Sequence, residues 1–161
     1  MKEKDALAFY ALQHFIVSYN QSYGGELQLV ELRQPPEPDA LCLLNGEELG
    51  VEVTHLYGSD LDARRRLGRL ENKSPTGEEE LANRLTPLQD RVLDKLNCLL
   101  RDKAGKNYNR SPVWLLVRNA FPLWSRQDFE EHMEEILVPE NHQFHHIWLL
   151  AERDGDLLQL C

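Results

Sequence analysis

The segment from Pro38 to Thr54 constrains the fold of this chain more than any other part of its sequence. An apolar run, Ala40–Leu44, leads into the turn residues Asn45, Gly46, Glu47 and Glu48, and a second apolar-rich run follows. Asn-Gly between two such runs is a strong hairpin signal. The segment therefore predicts two antiparallel strands, at about residues 40–44 and 49–56.

Two carboxylates mark the ends of this predicted hairpin. Asp39 opens the first strand, and Glu52 lies within the second, after a spacer that covers residues 40–51. Because strand side chains alternate, Glu52 shares a face with Thr54, and the opposite face carries Val51, Val53 and His55. Mg²⁺ and Mn²⁺ prefer oxygen ligands, often one or two carboxylates. The alternatives are that Asp39 caps a proline-rich turn and that Glu52 faces solvent.

The elements around the hairpin predict an α/β fold with a mixed sheet. Helical spacing of apolar residues favours a helix at 4–19, and alternation favours a strand at 27–32. Thr86, Pro87 and Gln89 are typical of a helix start, which predicts a helix that ends near residue 103. Further elements follow as a strand at 113–117, a helix at 125–137 and strands at 146–151 and 157–160. The order is αβββαβ with an additional C-terminal αβ unit, and a length of 161 residues suits one domain, 1–161.

The hairpin and this order resemble the PD-(D/E)xK nuclease superfamily. Its signature is Pro-Asp, a spacer, and then Asp/Glu-x-Lys on the next strand; Pro38, Asp39 and Glu52 match it, while Thr54 stands at the position of the lysine. The resemblance covers residues 4–120 and implies a restriction-endonuclease-like fold. It further implies an Mg²⁺- or Mn²⁺-dependent nuclease acting on DNA, with the metal held by Asp39, Glu52 and the carbonyl of Val53.

The lysine missing at position 54 requires a substitute, since Thr54 can donate a hydrogen bond but carries no charge. In the superfamily, that lysine orients water and stabilises charge on the phosphate. On the helix that ends near residue 103, Lys95 lies at the edge of the apolar face, Lys103 projects from its middle and Gln89 falls within it. Related families carry Ile-x-x-Lys, then Tyr and a Trp-Leu-Leu strand, and the similar residues here are Val92, Lys95, Tyr108 and Trp114-Leu115-Leu116. We therefore favour Lys95, with Gln89 as an additional candidate. A structural lysine at the edge of a buried face and a helix-capping Gln89 are the alternatives.

The charge distribution bears on the partner. A net charge of −9 opposes general attraction to nucleic acid. Residues 61–73, however, carry five cations against two acids, and Arg64, Arg65, Arg66 and Arg69 follow the predicted site strand, where they could contact a phosphate backbone. A solvated helical face is the alternative for this arginine cluster.

Other features narrow the functional class. No apolar run approaches the ~20 residues of a membrane span, and the N-terminal residues do not form a signal peptide, so a cytoplasmic protein without membrane contact is expected. Cys42 and Cys98 fall in apolar segments and are expected in the core. The competing function is a catalytically degenerate nuclease fold that binds nucleic acid or a protein partner. Nucleases of this type often dimerise, so a homodimer or a larger complex is compatible with either function.

Overall fold

Six strands form one mixed sheet in the computed structural model, which describes residues 2–57, 88–110, 112–121, 123–151 and 156–161. The strands are β1 (Leu27–Leu32), β2 (Ala40–Leu44), β3 (Glu47–Leu56), β4 (Val113–Asn119), β5 (His146–Leu150) and β6 (Leu157–Gln159). Their order in the sheet follows the chain. β1, β2 and β3 are antiparallel, β3, β4 and β5 are parallel, and β6 is antiparallel to β5.

Helices cover both faces of the sheet. They are α1 (Glu3–Tyr23), α2 (Leu88–Ala104) and α3 (Arg126–Glu131), and a 3₁₀ turn at Met133–Glu135 follows α3. α1 packs on one face, while α2 and α3 pack on the other. Both faces of the central strands are therefore buried, which explains the continuous apolar run of β4.

The turn between β2 and β3 is shorter than the sequence predicts. Leu44 pairs with Glu47, so that only Asn45 and Gly46 form the loop. Both have positive φ, 51° and 87°, as a two-residue hairpin turn of matching twist requires. Glu47 and Glu48 consequently belong to β3.

Strand alternation assigns the two faces of β3. Val51 and Val53 pack with α1, whereas Leu56 packs with α2. Glu52 pairs in register with Leu115, which belongs to the α2 core, so Glu52 also faces α2. The sheet thus directs the predicted site carboxylate toward the helix that carries the candidate lysines.

The predicted α/β class with a mixed sheet is confirmed, and several boundaries differ. α1 continues to Tyr23 and ends at Gly24 in the left-handed region, beyond the predicted residue 19. α3 ends at Glu131 although the predicted helix extends to 137, while its predicted Ser125 cap is confirmed. Cys42 is buried as expected, but Cys98 is exposed, so its predicted place in the core is wrong. Within the described residues, none of the helices combines the length and apolar character needed to cross a bilayer.

Candidate active site

Asp39 and Glu52 are brought together where the β2–β3 ladder ends. Ala40 pairs with Val51, and the next residue outward on each strand is one of the two acids. The backbone N–H of Asp39 donates to Glu52 Oε1 at 3.1 Å, and the backbone N–H of Val53 donates to Asp39 Oδ2 at 2.9 Å. Each carboxylate therefore accepts a backbone hydrogen bond just beyond the end of the ladder, and both are held in a fixed orientation.

Gly50 permits the close packing that places Asp39 beside β3. A Cβ atom at Gly50 would lie 2.8 Å from Cγ of Pro38 and 3.2 Å from Cδ of Arg110. The ring of Pro38 is buried against the backbone of β3 at this point. Arg110 adds ion pairs at 3.4 Å to Glu37 and 2.8 Å to Glu48, which tie the proline-rich loop to the hairpin.

Lys103 and Tyr108 complete the surroundings of Glu52. The ammonium of Lys103, in the last turn of α2, lies 2.9 Å from Glu52 Oε2, and the hydroxyl of Tyr108 donates to the same oxygen at 2.8 Å. Glu52 is only 7% exposed. A buried carboxylate is costly unless it is paired and hydrogen-bonded, and here it accepts from a cation, a phenol and a backbone amide.

Gln143 fixes the segment that presents Tyr108. Its side-chain oxygen accepts from the Tyr108 N–H at 2.7 Å, and its amide nitrogen donates to the carbonyls of Tyr108 and Arg110 at 2.9 and 2.8 Å. The Tyr108 ring also packs on Phe144, with centroids 5.8 Å apart. The loop before β5 therefore positions a side chain that contacts the carboxylate on β3.

The two acids differ in their protonation behaviour. Burial and the adjacent charge of Glu52 raise the pKa of Asp39 to about 7. Burial alone would also raise the pKa of Glu52, but the hydrogen bond and charge of Lys103, with hydrogen bonds from Asp39 and Tyr108, hold it below its ordinary value. Burial and the charge of Glu52 raise the pKa of Tyr108, so this phenol stays protonated and donates. Near neutral pH the pair carries a proton on Asp39 for part of the time, since two close carboxylates resist double ionisation.

The donor set fits a divalent cation. Asp39 and Glu52 supply carboxylate oxygens, and the N–H of Val53 points toward Asp39. The N–H and C=O of one strand residue point to the same neighbouring strand, so the Val53 carbonyl also points toward Asp39. Burial and the charge of Glu52 disfavour the ionised form of Asp39, and the charge of a bound cation would offset both effects. Within the described part of the chain, no group of three or more His, Cys, Asp and Glu side chains could hold a metal, so the third protein ligand would have to be this carbonyl.

The remaining predicted site residues are not all described. Arg64, Arg65, Arg66 and Arg69 lie outside the described residues, as does the side chain of Gln89. Thr54 is half-buried on β3, two residues beyond Glu52 on the same face. The cation on Glu52 is Lys103; Lys95 is eight residues earlier on α2, about 12 Å along the helix axis. A role for Lys95 stays a prediction.

The sequence predicts that Asp39 and Glu52 lie close together, as they do, but it does not predict the contacts of Lys103, Tyr108 and Gln143. The position of Lys103 in the middle of an apolar helix face does indicate an ion pair, because a buried charge requires a partner on the element against which that face packs. Tyr108 belongs to the motif that was similar to related families, although no role followed from it. Gln143 is separated from Tyr108 by a strand and a helix in sequence, and nothing local indicates their bond.

The histidines lie outside this site. His55 faces α1, as alternation predicts, and its Nδ1 accepts from Nε of Arg118 at 2.8 Å. His142 and His145 lie in the loop before β5, and His146 begins that strand.

Comparisons of the chain with protein-family models, with curated proteins and with solved structures found no match.

Proposed function

We propose that the protein is a metal-dependent phosphodiesterase with a restriction-endonuclease-like fold that cleaves nucleic acid, with DNA as the first substrate to test. The contact that carries this proposal is the pairing of Asp39 with Glu52 beside the ammonium of Lys103. The αβββαβ order of elements and the Pro-Asp sequence at the start of β2 support it. This superfamily offers precedents for a lysine supplied by a neighbouring helix.

Asp39, Glu52 and the Val53 carbonyl would hold the metal. When bound, such an ion polarises the scissile phosphate and lowers the pKa of bound water. Asp39, whose pKa is about 7, would hold the metal in its ionised form. Tyr108 remains protonated and keeps Glu52 oriented through its hydrogen bond. Lys103 provides the positive charge beside Glu52 that can stabilise charge developing on the phosphate oxygens.

A cleavage screen tests this function. Wild-type protein is incubated with single-stranded DNA, duplex DNA and RNA in Mg²⁺, in Mn²⁺ and in EDTA. We expect metal-dependent cleavage that falls more than about 100-fold in Asp39→Asn and Glu52→Gln. Glu47→Gln is the matched control, because Glu47 is exposed on the same strand and its replacement changes the net charge equally. Cleavage that persists in Glu52→Gln would overturn the site.

The two lysines of α2 form a second matched pair. Lys103→Met removes the cation that contacts Glu52, whereas Lys95→Met changes the same residue type two turns earlier on the helix. The geometry favours loss of cleavage in Lys103→Met and retention in Lys95→Met. The reverse result would return the catalytic role to Lys95, as the resemblance to related families implies.

A non-catalytic binding module is the second candidate, and one observation favours it. Glu52 Oε2 already accepts from both Lys103 and Tyr108, and a fully satisfied polar network of this kind can also serve as a structural core. The net charge of −9 is compatible with a protein partner. A wild type that binds nucleic acid or protein but cleaves none of the screened substrates in either metal would support this candidate.

A further inference from the structure

A cleft lies between α1 and the carboxyl ends of β4 and β5. Its volume is about 480 Å³, within the range of roughly 300–1,000 Å³ of small-molecule sites. It is lined by side chains that include Leu7, Tyr10, His14, Arg118, Asn119 and Leu150. In parallel sheets, ligands bind preferentially outside the carboxyl ends of the strands.

Arg118 is held in a defined orientation at the base of this α1 cleft. Its Nε donates to Nδ1 of His55 at 2.8 Å, and the two residues are register partners on β4 and β3. In this bond the guanidinium is the donor and the imidazole is the acceptor, so the His55 ring holds the Arg118 side chain in place. The guanidinium remains charged and is oriented by this bond, which suits recognition of a phosphate.

The opposite wall of the α1 cleft is formed by α1. Tyr10 is 61% exposed, and His14 follows four residues later on the same face of the helix. Leu7 and Leu150 provide apolar surface between the helix and the strand ends. Aromatic rings beside a guanidinium are the combination that proteins use to bind unpaired nucleic acid, with stacking for the base and charge for the phosphate.

The α1 cleft lies close to the candidate active site. His55 follows Glu52 by three residues on β3, about 10 Å along the strand and on its other face. Lys103 of α2 contacts Glu52 and Arg118 of β4 contacts His55, so cations from two elements lie against the carboxyl half of β3 in a protein whose net charge is −9.

We propose that the α1 cleft binds one unpaired nucleotide of the substrate strand, with its phosphate on Arg118 and its base against Tyr10 and His14. This inference rests on the proposed function and gives the substrate class as single-stranded nucleic acid or a strand with an unpaired end. A base inside a duplex is stacked and paired, so it enters such a cleft only after it has been unstacked.

Fluorescence anisotropy with a labelled oligothymidylate in EDTA tests the α1 cleft without any cleavage. We expect binding tighter than to a duplex of equal length, and weakening by roughly 5- to 150-fold in Tyr10→Ala, the range for one stacked base. Arg118→Gln should weaken binding at least tenfold and reduce the magnitude of the slope of log K against log salt by about 0.7, the value for one phosphate contact.

Two variants serve as matched controls. Arg126→Gln removes a cation from α3, where Arg126 is paired with Glu130 at 2.9 Å, and Val17→Ala trims an exposed residue of α1 outside the cleft. Both should bind within twofold of the wild type. If circular dichroism shows that Arg118→Gln is unfolded, the affinity of Tyr10→Ala tests the proposal by itself. The Tyr10 ring is exposed, so its removal should leave the fold intact.

The outcomes separate the cleft from the catalytic site. Unchanged affinity in both Arg118→Gln and Tyr10→Ala, tighter binding to duplex, or no binding by the wild type would overturn the proposal, even if the wild type cleaves DNA. The opposite separation is also measurable. If binding depends on Arg118 and Tyr10 but the wild type hydrolyses neither DNA nor the small diester bis(4-nitrophenyl) phosphate, the proposed nucleotide site stands and the proposed nuclease function is wrong.

Discussion

Glu52 and Asn97 are both buried, at 7% and 8% exposure, yet they are satisfied in different ways. The side chain of Asn97 on α2 donates to the Glu135 carbonyl at 2.9 Å and accepts from the Leu137 N–H at 2.8 Å. These neutral bonds tie α2 to the last residue of the 3₁₀ turn and to the segment that follows it. Glu52 accepts from the Lys103 and Tyr108 side chains as well as from one backbone N–H, and it lies beside a second acid, Asp39, whose pKa is raised to about 7.

The difference shows which kind of buried polar group indicates function. Asn97 supplies a side-chain partner to two backbone groups. The Asp39–Glu52 pair combines like charges, burial and a perturbed pKa, and this combination is more typical of binding and catalytic sites than of structural ones.

The largest effect is expected when the cation is removed from Glu52. Lys103→Met leaves a buried carboxylate without its ion-pair partner, which costs about 3–5 kcal/mol in comparable cases. Urea denaturation at pH 7 measures the loss. The double variant Glu52→Gln/Lys103→Met should recover most of it, because no unpaired charge remains. A double variant as unstable as Lys103→Met would mean that packing of the aliphatic part of the Lys103 side chain, and not its charge, stabilises this region.

Asn97→Ala is expected to destabilise without changing metal binding. It leaves the Glu135 carbonyl and the Leu137 N–H without their side-chain partner, at a cost of about 2–3 kcal/mol. Parallel urea denaturation and Mn²⁺ titration of this variant give both quantities. Weakened Mn²⁺ binding at unchanged stability would erase the distinction between the two buried groups.

Tyr108→Phe removes one of the hydrogen bonds to Glu52 Oε2 and leaves the ring packed on Phe144. A hydrogen bond to a charged group contributes about 1.5–3 kcal/mol, and we expect the lower end because Lys103 remains on the same oxygen. Chemical denaturation again gives the free energy of unfolding. A neutral result would show that Tyr108 contributes nothing to the stability of the site.

Asp39→Asn should increase the stability of the fold, in contrast to the three preceding variants. An asparagine can still accept from the Val53 N–H and donate toward Glu52, but it does not ionise. The pKa of Asp39 is about 7 in the fold against an ordinary value of 3.8, so its contribution to stability is fully present below pH 4 and is lost as the pH rises through 7. The variant should therefore gain about 1 kcal/mol over the wild type at pH 8, and this gain should shrink toward pH 4. A gain that does not depend on pH would contradict a raised pKa of Asp39.

Prediction from sequence succeeded where local signals were strong. The Asn45-Gly46 turn and the Ser125 cap are encoded in a few adjacent residues, and both occur in the structure. The approach of Asp39 to Glu52 follows from hairpin register, which makes it predictable at a distance of 13 residues. Boundaries such as the end of α1 were less certain, because tertiary packing extends a helix beyond its periodic core.

The rest of the site depends on contacts that no local pattern encodes. Lys103 and Lys95 differ by two helical turns, and only the placement of α2 over β3 decides which of them contacts Glu52. The choice of Lys95 came from a spacing similar to that of related families, not from such a contact. Gln143 positions Tyr108 across 35 residues of sequence, through two bonds that depend on the register of β4 and β5.

The central claim is that Asp39 and Glu52 form a divalent-cation site, and calorimetric titration with Mn²⁺ at pH 7 tests it most directly. We predict binding near one equivalent in the wild type, with release of about half a proton when buffers of different ionisation enthalpy are compared, because the pKa of Asp39 is about 7. Glu52→Gln should lose this binding, and Glu47→Gln should keep it. Equal binding by the wild type and Glu52→Gln, or no binding by the wild type, would contradict the account.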